Sequence, residues 1–266
     1  GTAKARLTAL DQSLSIPASE KKTETDAVNK VASSRRVALV IGNGAYKHAT
    51  PLANPANDAK SIAPNFRDIG LEVFDGLDLD RDSMKAEIAK FIRVAPAANV
   101  AVLFYAGHRM QIDGRNYLVP IDVNFSDGKS IASDMTDLDF VLAGLDDKLR
   151  TNIIILDACR DNPMLQTAQA GSTSRSVAVR SGLAAPAGLG TGGTVGAGTL
   201  LAFATAPGQV ALDGDGSNSP FSTALARHIG RPGIEEQQML TRVRSDVVAA
   251  TKTKQVPWSN SSLLGE

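Results

Sequence analysis

The sequence predicts a single α/β domain with a mostly parallel central sheet of about six strands and helices on both faces. Two observations carry this prediction. Short apolar runs rich in β-branched residues recur along the chain, and helical patterns separate them. The run at 153–156 has the continuous apolar character of a strand that is buried on both faces.

The elements follow from apolar periodicity and from turn and cap residues. Strands are predicted at 37–41, 71–74, 100–105, 152–156 and 199–204, with an edge piece at 117–120, where Pro120 cannot join a central ladder. Helices are predicted from Asn57 or Asp58 to near Gly70, from Asp80 or Asp82 through Ile92, from Met135 to Leu145 with Asp134 as cap, and over about 220–229 and 234–250.

Composition separates a tail, a domain and one long loop. Residues 1–34 have sparse apolar residues and no period, so they are predicted to be a tail or linker. The folded domain is predicted over 35–266. Residues 166–198 are rich in Ser, Gly, Ala and Thr, which predicts a long mobile loop inside that domain.

Charge and composition exclude several classes of protein. Lys+Arg and Asp+Glu are balanced at 28 each, so no global field favours nucleic acid. No apolar run approaches the roughly 18 residues of a membrane span. The single cysteine excludes an internal disulfide. Because Gly1 is not Met, we expect missing upstream sequence, which fits a cytoplasmic protein and a periplasmic or secreted one equally.

The single cysteine, Cys159, follows the buried strand at 152–156 and lies between Asp157 and the charged pair Arg160 and Asp161. Ligand sites of open α/β sheets lie outside the carboxyl ends of strands. A lone cysteine is often only a small core hydrophobe. Its position and charged surroundings favour a nucleophile instead.

A histidine, His108, follows another apolar strand and lies 51 residues upstream of Cys159. If the two strands are neighbours, an imidazole at the end of one can deprotonate the thiol at the end of the other and then protonate a leaving amine. A His about 50 residues before the Cys is the caspase-type spacing. The spacing therefore predicts a His108–Cys159 dyad.

Specific motifs surround both residues. They are Tyr105-Ala106-Gly107-His108, Asp157-Ala158-Cys159-Arg160, Val40-Ile41-Gly42-Asn43 with Tyr46, Asn57-Asp58, Asn116 to Pro120, Ala204 to Gly208, and Asn218-Ser219-Pro220-Phe221. Over about residues 35–263 the chain resembles the caspase-like cysteine peptidases (peptidase C14), closest to the bacterial paracaspase and orthocaspase branch. The resemblance implies a caspase-like fold, thiol-dependent peptide hydrolysis and the His108–Cys159 dyad.

The residue two before the nucleophile suggests specificity for basic residues. Caspases carry Gln there, and this chain has Asp157, on the same strand face as Cys159. The resemblance to paracaspases implies that Asp58 supplies a second carboxylate, and two carboxylates suit a guanidinium. We therefore predict cleavage after Arg or Lys, with Asp213, or next Asp215, as a third acid.

Each aspartate also has a purely structural interpretation. Asp58 can be a helix cap, Asp157 can cap a loop and Asp213 can belong to a turn. Two other patterns are weak. Gly42-Asn43-Gly44 is half of a dinucleotide fingerprint, and Asp213 to Gly216 resembles calcium ligands without the closing glutamate of an EF-hand.

Arg109 departs from the family pattern. The resemblance implies an oxyanion hole formed by the backbone N–H groups of Cys159 and Arg109, and the family normally has glycine at the second position. An arginine adds a side chain in the expected substrate path, and a positive φ would be costly there. A catalytically impaired caspase-fold pseudoenzyme or scaffold is therefore the alternative to an active peptidase.

The remaining expectations concern substrates and regulation. The segment Ala204, Thr205 and Ala206 is predicted to pair with substrate as an added strand. Self-processing is predicted after Arg175 or Arg180. We expect peptide or protein substrates with basic residues, no nucleic-acid partner, and a monomer or weak dimer. The mechanism requires no metal or cofactor, although calcium activation, as in the related metacaspases, stays open.

Overall fold

The computed structural model of the protein describes residues 35–125, 131–146, 150–159, 198–206, 209 and 211–263, with only the backbone described at Cys159. The predicted tail at 1–34 and nearly all of the predicted loop at 166–198 lie outside these residues.

A central sheet organises the molecule. Its main path has six strands: β1 (Arg36–Gly42), β2 (Glu72–Leu77), β3 (Val100–Ile112), β6 (Thr151–Cys159), β7 (Thr199–Phe203) and β8 (Trp258–Ser261). They lie in the order β2-β1-β3-β6-β7-β8. The first five run parallel and β8 pairs antiparallel with β7. The predicted mostly parallel sheet of about six strands is confirmed.

Helices cover both faces of the sheet. They are α1 (Pro55–Asp68), α2 (Arg81–Val94), α3 (Leu138–Leu145), α4 (Pro220–His228) and α5 (Glu236–Ala250). Apolar residues of α1, α4 and α5, including Phe66, Phe221 and Val243, pack on one face. Those of α2 and α3, including Phe91 and Leu138, pack on the other. This three-layer arrangement agrees with the α/β prediction, because a parallel sheet needs cover on both faces.

Strand β3 is longer than the sequence indicates. The sequence predicts its end at Tyr105, but it continues to Ile112 because its last residues pair antiparallel with β4 (Arg115–Leu118). The turn between them is Asp113-Gly114, and both residues have positive φ, as a two-residue hairpin requires. The extension encloses His108 within paired backbone rather than leaving it at a strand end.

Two predicted helix starts are wrong. Helix α1 begins at Pro55, with proline in its first turn, rather than at Asn57 or Asp58. Helix α3 begins at Leu138 rather than Met135, because Thr136–Asp137 pairs with β4 as the short strand β5. Asp137 caps α3 by accepting from the Asp139 N–H.

Within the described ranges, every helix is too short or too polar to cross a lipid bilayer.

Candidate active site

The parallel pairing of β3 with β6 brings the two predicted dyad residues together. The strands pair in parallel from Val100 and Thr151 up to His108 and Cys159, which are register partners. Neighbouring strands lie about 4.8 Å apart. The backbones of His108 and Cys159 are therefore adjacent, as the predicted dyad requires.

Hydrogen bonds fix the His108 ring and backbone. The side chain is fully buried, and Nε2 lies 2.8 Å from the carbonyl oxygen of Thr50. The Tyr46 ring lies 4.4 Å from the imidazole, centroid to centroid. The His108 backbone N–H donates to the Tyr46 hydroxyl at 2.7 Å, and the Tyr105 hydroxyl donates to the His108 carbonyl at 2.6 Å. Burial raises the pKa of Tyr105, which keeps that hydroxyl a neutral donor.

Gly107 is required by the space around it. A Cβ at this position would lie 2.7 Å from the Tyr46 hydroxyl, 2.8 Å from the Tyr105 hydroxyl and 2.9 Å from the Asn43 carbonyl, and φ is +150°. Only glycine has no Cβ and adopts such a φ without strain. Tyr46 and Tyr105 can therefore both bond to the His108 backbone because the preceding residue is glycine.

The predicted acidic residues Asp58 and Asp157 meet at a single serine. Ser219, the N-cap of α4, donates its backbone N–H to Asp58 Oδ1 at 3.0 Å and its hydroxyl to Asp157 Oδ2. Asn218 Nδ2 adds a bond to Asp58 at 2.9 Å, and the Ser222 hydroxyl adds one to Asp157 at 2.6 Å. Asp58 and Asp157 are 1% and 5% exposed. We call these two residues the acid pair.

Burial raises the pKa of both carboxyls of the acid pair. For Asp58 the largest cause is desolvation, and the charge of Asp157 adds to it. For Asp157 desolvation again dominates, and the two serine hydroxyls oppose it only in part. Two neighbouring carboxyls that resist ionisation are electrostatically suited to a cation, because its charge favours their ionised forms.

Asp213 lies beside the acid pair and His108. Its Oδ2 accepts from the Ala53 N–H at 3.1 Å, and its carbonyl accepts from Asn54 Nδ2 at 2.7 Å. Burial raises the pKa of this carboxyl, and the charge of His108 opposes the shift. Asp215, the second candidate, is exposed in the turn at 213–218. The structure thus brings Asp213 to the site.

The backbone conformation of Arg109 and the direction of its side chain both differ from expectation. Its φ is not positive, so the expected backbone strain does not arise. The side chain is 8% exposed, and Cζ lies 5.9 Å from the centroid of the Phe203 ring. Phe203 belongs to the core on the α2–α3 face. Ile155 packs on the α1–α4–α5 face, and Asp157, two residues further along β6, shares that face. The Arg109 side chain therefore lies across the sheet from the acid pair.

The segment predicted to bind substrate is only partly available as a sheet edge. β7 is paired on both sides through Phe203, with β6 and β8. The Ala204 N–H donates to the Leu156 carbonyl, and the Ala204 carbonyl accepts from Gln255 Nε2 at 2.8 Å. Thr205 is 1% exposed. A substrate strand would therefore have to pair beyond Ala204, since both backbone groups of Ala204 are already bonded.

The glycine turn at 42–44 is a packing feature. The Gly44 and Ala45 N–H groups, which a phosphate would need, donate to Asp78 Oδ1 at 2.8 and 2.9 Å. A Cβ at Gly42 would lie 2.2 Å from the Pro55 carbonyl, so this glycine permits close approach of α1. The bonds to Asp78 argue against the nucleotide interpretation.

Sequence reasoning missed the residues that hold the acid pair, namely Asn218, Ser219 and Ser222. The Ser219-Pro220 start of a helix is an N-cap signal that was within reach. The bond from that cap to Asp157 was not, because it depends on how α4 packs on the sheet. Arg175 and Arg180 lie outside the described residues. In the described part of the chain, no group of three or more His, Cys, Asp or Glu side chains could hold a metal ion.

The fold and the clustered motifs define a caspase-type peptidase domain, and comparison with known families agrees. The caspase-domain model of peptidase C14 matches residues 35–266. The chain therefore belongs to the peptidase C14 caspase family, as the motifs predicted, and its domain is peptidase-like. The closer assignment to a bacterial paracaspase and orthocaspase branch stays a prediction.

Two curated proteins share part of this sequence. The chain is similar to mucosa-associated lymphoid tissue lymphoma translocation protein 1 of Homo sapiens, with 30% identity over 87 residues, or 33% of this chain and 11% of that protein. The homolog from Mus musculus matches with 30% identity over 87 residues, or 33% of this chain and 10% of its own length. The matches thus span about a tenth of the length of these relatives.

Proposed function

We propose that the protein is a cysteine endopeptidase that cleaves peptide bonds after arginine or lysine. The observation that carries this proposal is the location of the acid pair. Asp157 lies on β6 two residues before Cys159, the register partner of His108. Asp58, on α1, is linked to Asp157 through Ser219. A substrate residue held by the acid pair would present its carbonyl next to the dyad.

His108 acts as the proton carrier in this mechanism. Donation of the Nε2 proton to the Thr50 carbonyl selects the tautomer whose Nδ1 carries the lone pair. Nδ1 then takes the proton of the Cys159 thiol as sulfur attacks the scissile carbonyl carbon. The same proton goes to the leaving amine when the peptide C–N bond breaks, and water hydrolyses the thioester.

The acid pair supplies specificity for a cation. A guanidinium or ammonium between the carboxyls of Asp58 and Asp157 would favour their ionised forms and gain charge-assisted hydrogen bonds. An aspartate side chain would meet like charge there. Asp213, close to both the pair and His108, supplies a third negative group at the pocket.

The backbone N–H groups of Cys159 and Arg109 are the proposed oxyanion donors. The ordinary φ of Arg109 and the location of its side chain beside Phe203 support a peptidase, because the arginine does not lie on the face of the acid pair. The competing function is a caspase-fold scaffold in which this substitution abolishes turnover. Loss of one oxyanion donor lowers turnover by about 10²–10³.

The test is hydrolysis of fluorogenic peptides that end in Arg, Lys, citrulline or Asp, with Cys159→Ala and Arg109→Gly in parallel. The proposal expects cleavage of Arg and Lys peptides that disappears in Cys159→Ala and persists in a chelator, because protein groups alone perform the chemistry. A silent native protein that Arg109→Gly activates would instead support the scaffold. Preference for Asp peptides would refute the specificity.

A further inference from the structure

A cavity of about 300 Å³ lies at the amino ends of β3, β6 and β7, on the α1–α4–α5 face of the sheet. Its floor is formed by apolar side chains of these strands, and its walls by the end of α1, the α4–α5 connection and the start of α5. His108 and Cys159 lie eight residues further along β3 and β6, toward the opposite edge of the sheet. The cavity is therefore separate from the proposed active site.

The cavity exposes apolar residues that a parallel sheet normally buries. Val100 and Ile153 belong to the central strands β3 and β6, yet both are only partly buried. Among the described residues, α4 ends at His228 and α5 starts at Glu236, so neither helix covers the amino ends of these strands. Ile69 and Met239 also line the cavity and are only partly buried. An apolar occupant would complete the burial of this surface.

His228 forms part of the cavity wall. The side chain is 7% exposed, and its Nε2 lies 2.9 Å from Asp246 Oδ2. The other ring nitrogen, Nδ1, is buried and makes no hydrogen bond to any residue that the structure describes. Because Nδ1 has almost no accessible surface, His228 contributes to the shape of the wall and offers no donor to an anionic ligand.

The charges at the cavity are predominantly positive. Arg36 and Arg231 line it and are exposed, and within the described ranges neither guanidinium pairs with a carboxylate. The Arg231 Nε donates to the Arg227 carbonyl, which leaves its other guanidinium donors for a ligand. Glu236 is the opposing acidic residue in the lining. The charge balance therefore favours an anionic group on the ligand.

We propose that this cavity binds an apolar molecule with a single carboxylate, of the fatty-acid type. The hydrocarbon chain lies on Val100 and Ile153, and the carboxylate meets Arg36 and Arg231. The site does not depend on the proposed peptidase activity, so it can be tested without turnover.

The test is calorimetric titration of the full chain with decanoate below its micelle concentration. We expect saturable binding of one molecule per chain and affinity at least about tenfold weaker for decanol, which lacks the charge. The double variant Arg36→Gln/Arg231→Gln should also lose at least about tenfold. The matched control Arg93→Gln/Arg242→Gln replaces two exposed arginines outside the cavity and should bind as the native chain does.

Met239→Trp fills the cavity from α5 and should abolish binding, with thermal unfolding used to check that it folds. The arginine variants change exposed residues only, so they decide the matter even if this variant is unstable. Absence of decanoate binding, equal binding of decanol, or equal affinity in the cavity and control double variants would each overturn the proposal.

Discussion

At the scale of single residues, the acid pair combines burial with neutral partners. The described hydrogen bonds to Asp58 and Asp157 come from an amide group, a backbone N–H and two hydroxyls. Neutral donors offset only part of the free energy of removing carboxylates from water. Under the proposed function, an arriving cation would supply the charge that these neutral partners do not.

Asp157→Asn should remove specificity for arginine while keeping the shape of the pocket. Truncating one member of a buried charge pair costs about 2–5 kcal/mol, so kcat/KM for Arg peptides should fall roughly 30-fold or more. Asp215→Asn, in the exposed part of the nearby turn, is the matched control and should retain native kinetics. Unchanged cleavage of Arg peptides by Asp157→Asn would contradict the assignment.

The raised pKa values of the acid pair predict a pH dependence of specificity. An ordinary aspartate is ionised above about pH 4. Because burial raises the pKa of Asp58 and Asp157, both stay partly protonated above that range and attract a guanidinium less. The ratio of kcat/KM for Arg peptides to that for citrulline peptides should therefore rise as the pH increases above the ordinary aspartate range, because the acid pair ionises later than free aspartate.

The ratio cancels the titration of Cys159 and His108, which affects both peptides. The raised pKa values of the acid pair also determine how the stability of the protein changes with pH. A carboxyl whose pKa is raised by folding stabilises the protein below its unfolded pKa, and that contribution is lost as the pH rises through the folded pKa. A ratio that is flat over the same pH range would show that the pair titrates as ordinary carboxyls.

Gly107→Ala tests whether the hydrogen bonds of Tyr46 and Tyr105 to His108 require glycine before it. The added Cβ would meet three oxygen atoms at 2.7–2.9 Å, so the tyrosines or the β3 backbone must move. Overpacking of this kind costs about 1–3 kcal/mol. We expect a lower melting temperature and strongly reduced turnover. Gly114→Ala is the control, because Gly114 also has a positive φ but a Cβ added there would meet nothing within 4 Å. Equal effects of the two changes would show that only the positive φ matters.

At the scale of elements, local signals predicted more than long-range ones. The apolar runs of β1, β3 and β6 and the capped α2 were predictable because each pattern is contained in its own segment. The extension of β3 to Ile112 depends on β4, although Asp113-Gly114 is a hairpin signal. The start of α3 depends on β5 pairing with β4. The meeting of Asp58 with Asp157 was expected only from the family resemblance.

Helix α4 connects fold and site through Ser219. Ser219→Ala removes the N-cap bond to the Ser222 N–H and the hydroxyl bond to Asp157. Loss of an N-cap costs about 1 kcal/mol, or roughly 2–4 °C in melting temperature for a domain of this size. KM for Arg peptides should rise as well, because Asp157 loses one of the groups that orient it.

Asp80→Ala provides the matched control, because Asp80 caps α2 through the Ser83 N–H at the same 2.9 Å distance and lies away from the acid pair. It should lower the melting temperature by a similar amount and leave KM unchanged. If both variants change KM equally, Ser219 acts only through helix stability.

At the scale of the whole molecule, the parallel sheet separates two sets of residues. Its carboxyl edge carries His108, Cys159 and the acid pair, whereas its amino edge borders the apolar cavity. The strand–helix rhythm predicted the sheet, and the strand positions with the spacing predicted that His108 and Cys159 meet, whereas Asp58 was expected there only from the family resemblance. These signals were insufficient for the cavity, because no local pattern reveals where covering helices end relative to distant strands.

Self-processing can be tested on the whole chain because a cut between β6 and β7 should leave the fold assembled. The two strands pair in parallel from Asn152 and Thr199 to Leu156 and Phe203, and residues before and after the cut share both major cores. We expect the purified protein to be cut after Arg175 or Arg180, giving two fragments on a denaturing gel and by mass spectrometry. The fragments should still elute together at the native size.

Cys159→Ala should stay in one piece under the same conditions, and Arg175→Ala/Arg180→Ala should block the cut without reducing cleavage of Arg peptides by the uncut enzyme. Cuts at the same sites in purified Cys159→Ala would mean that another protease makes them. Native protein that hydrolyses Arg peptides but remains intact would separate the two activities, since an enzyme specific for basic residues need not have its own arginines within reach.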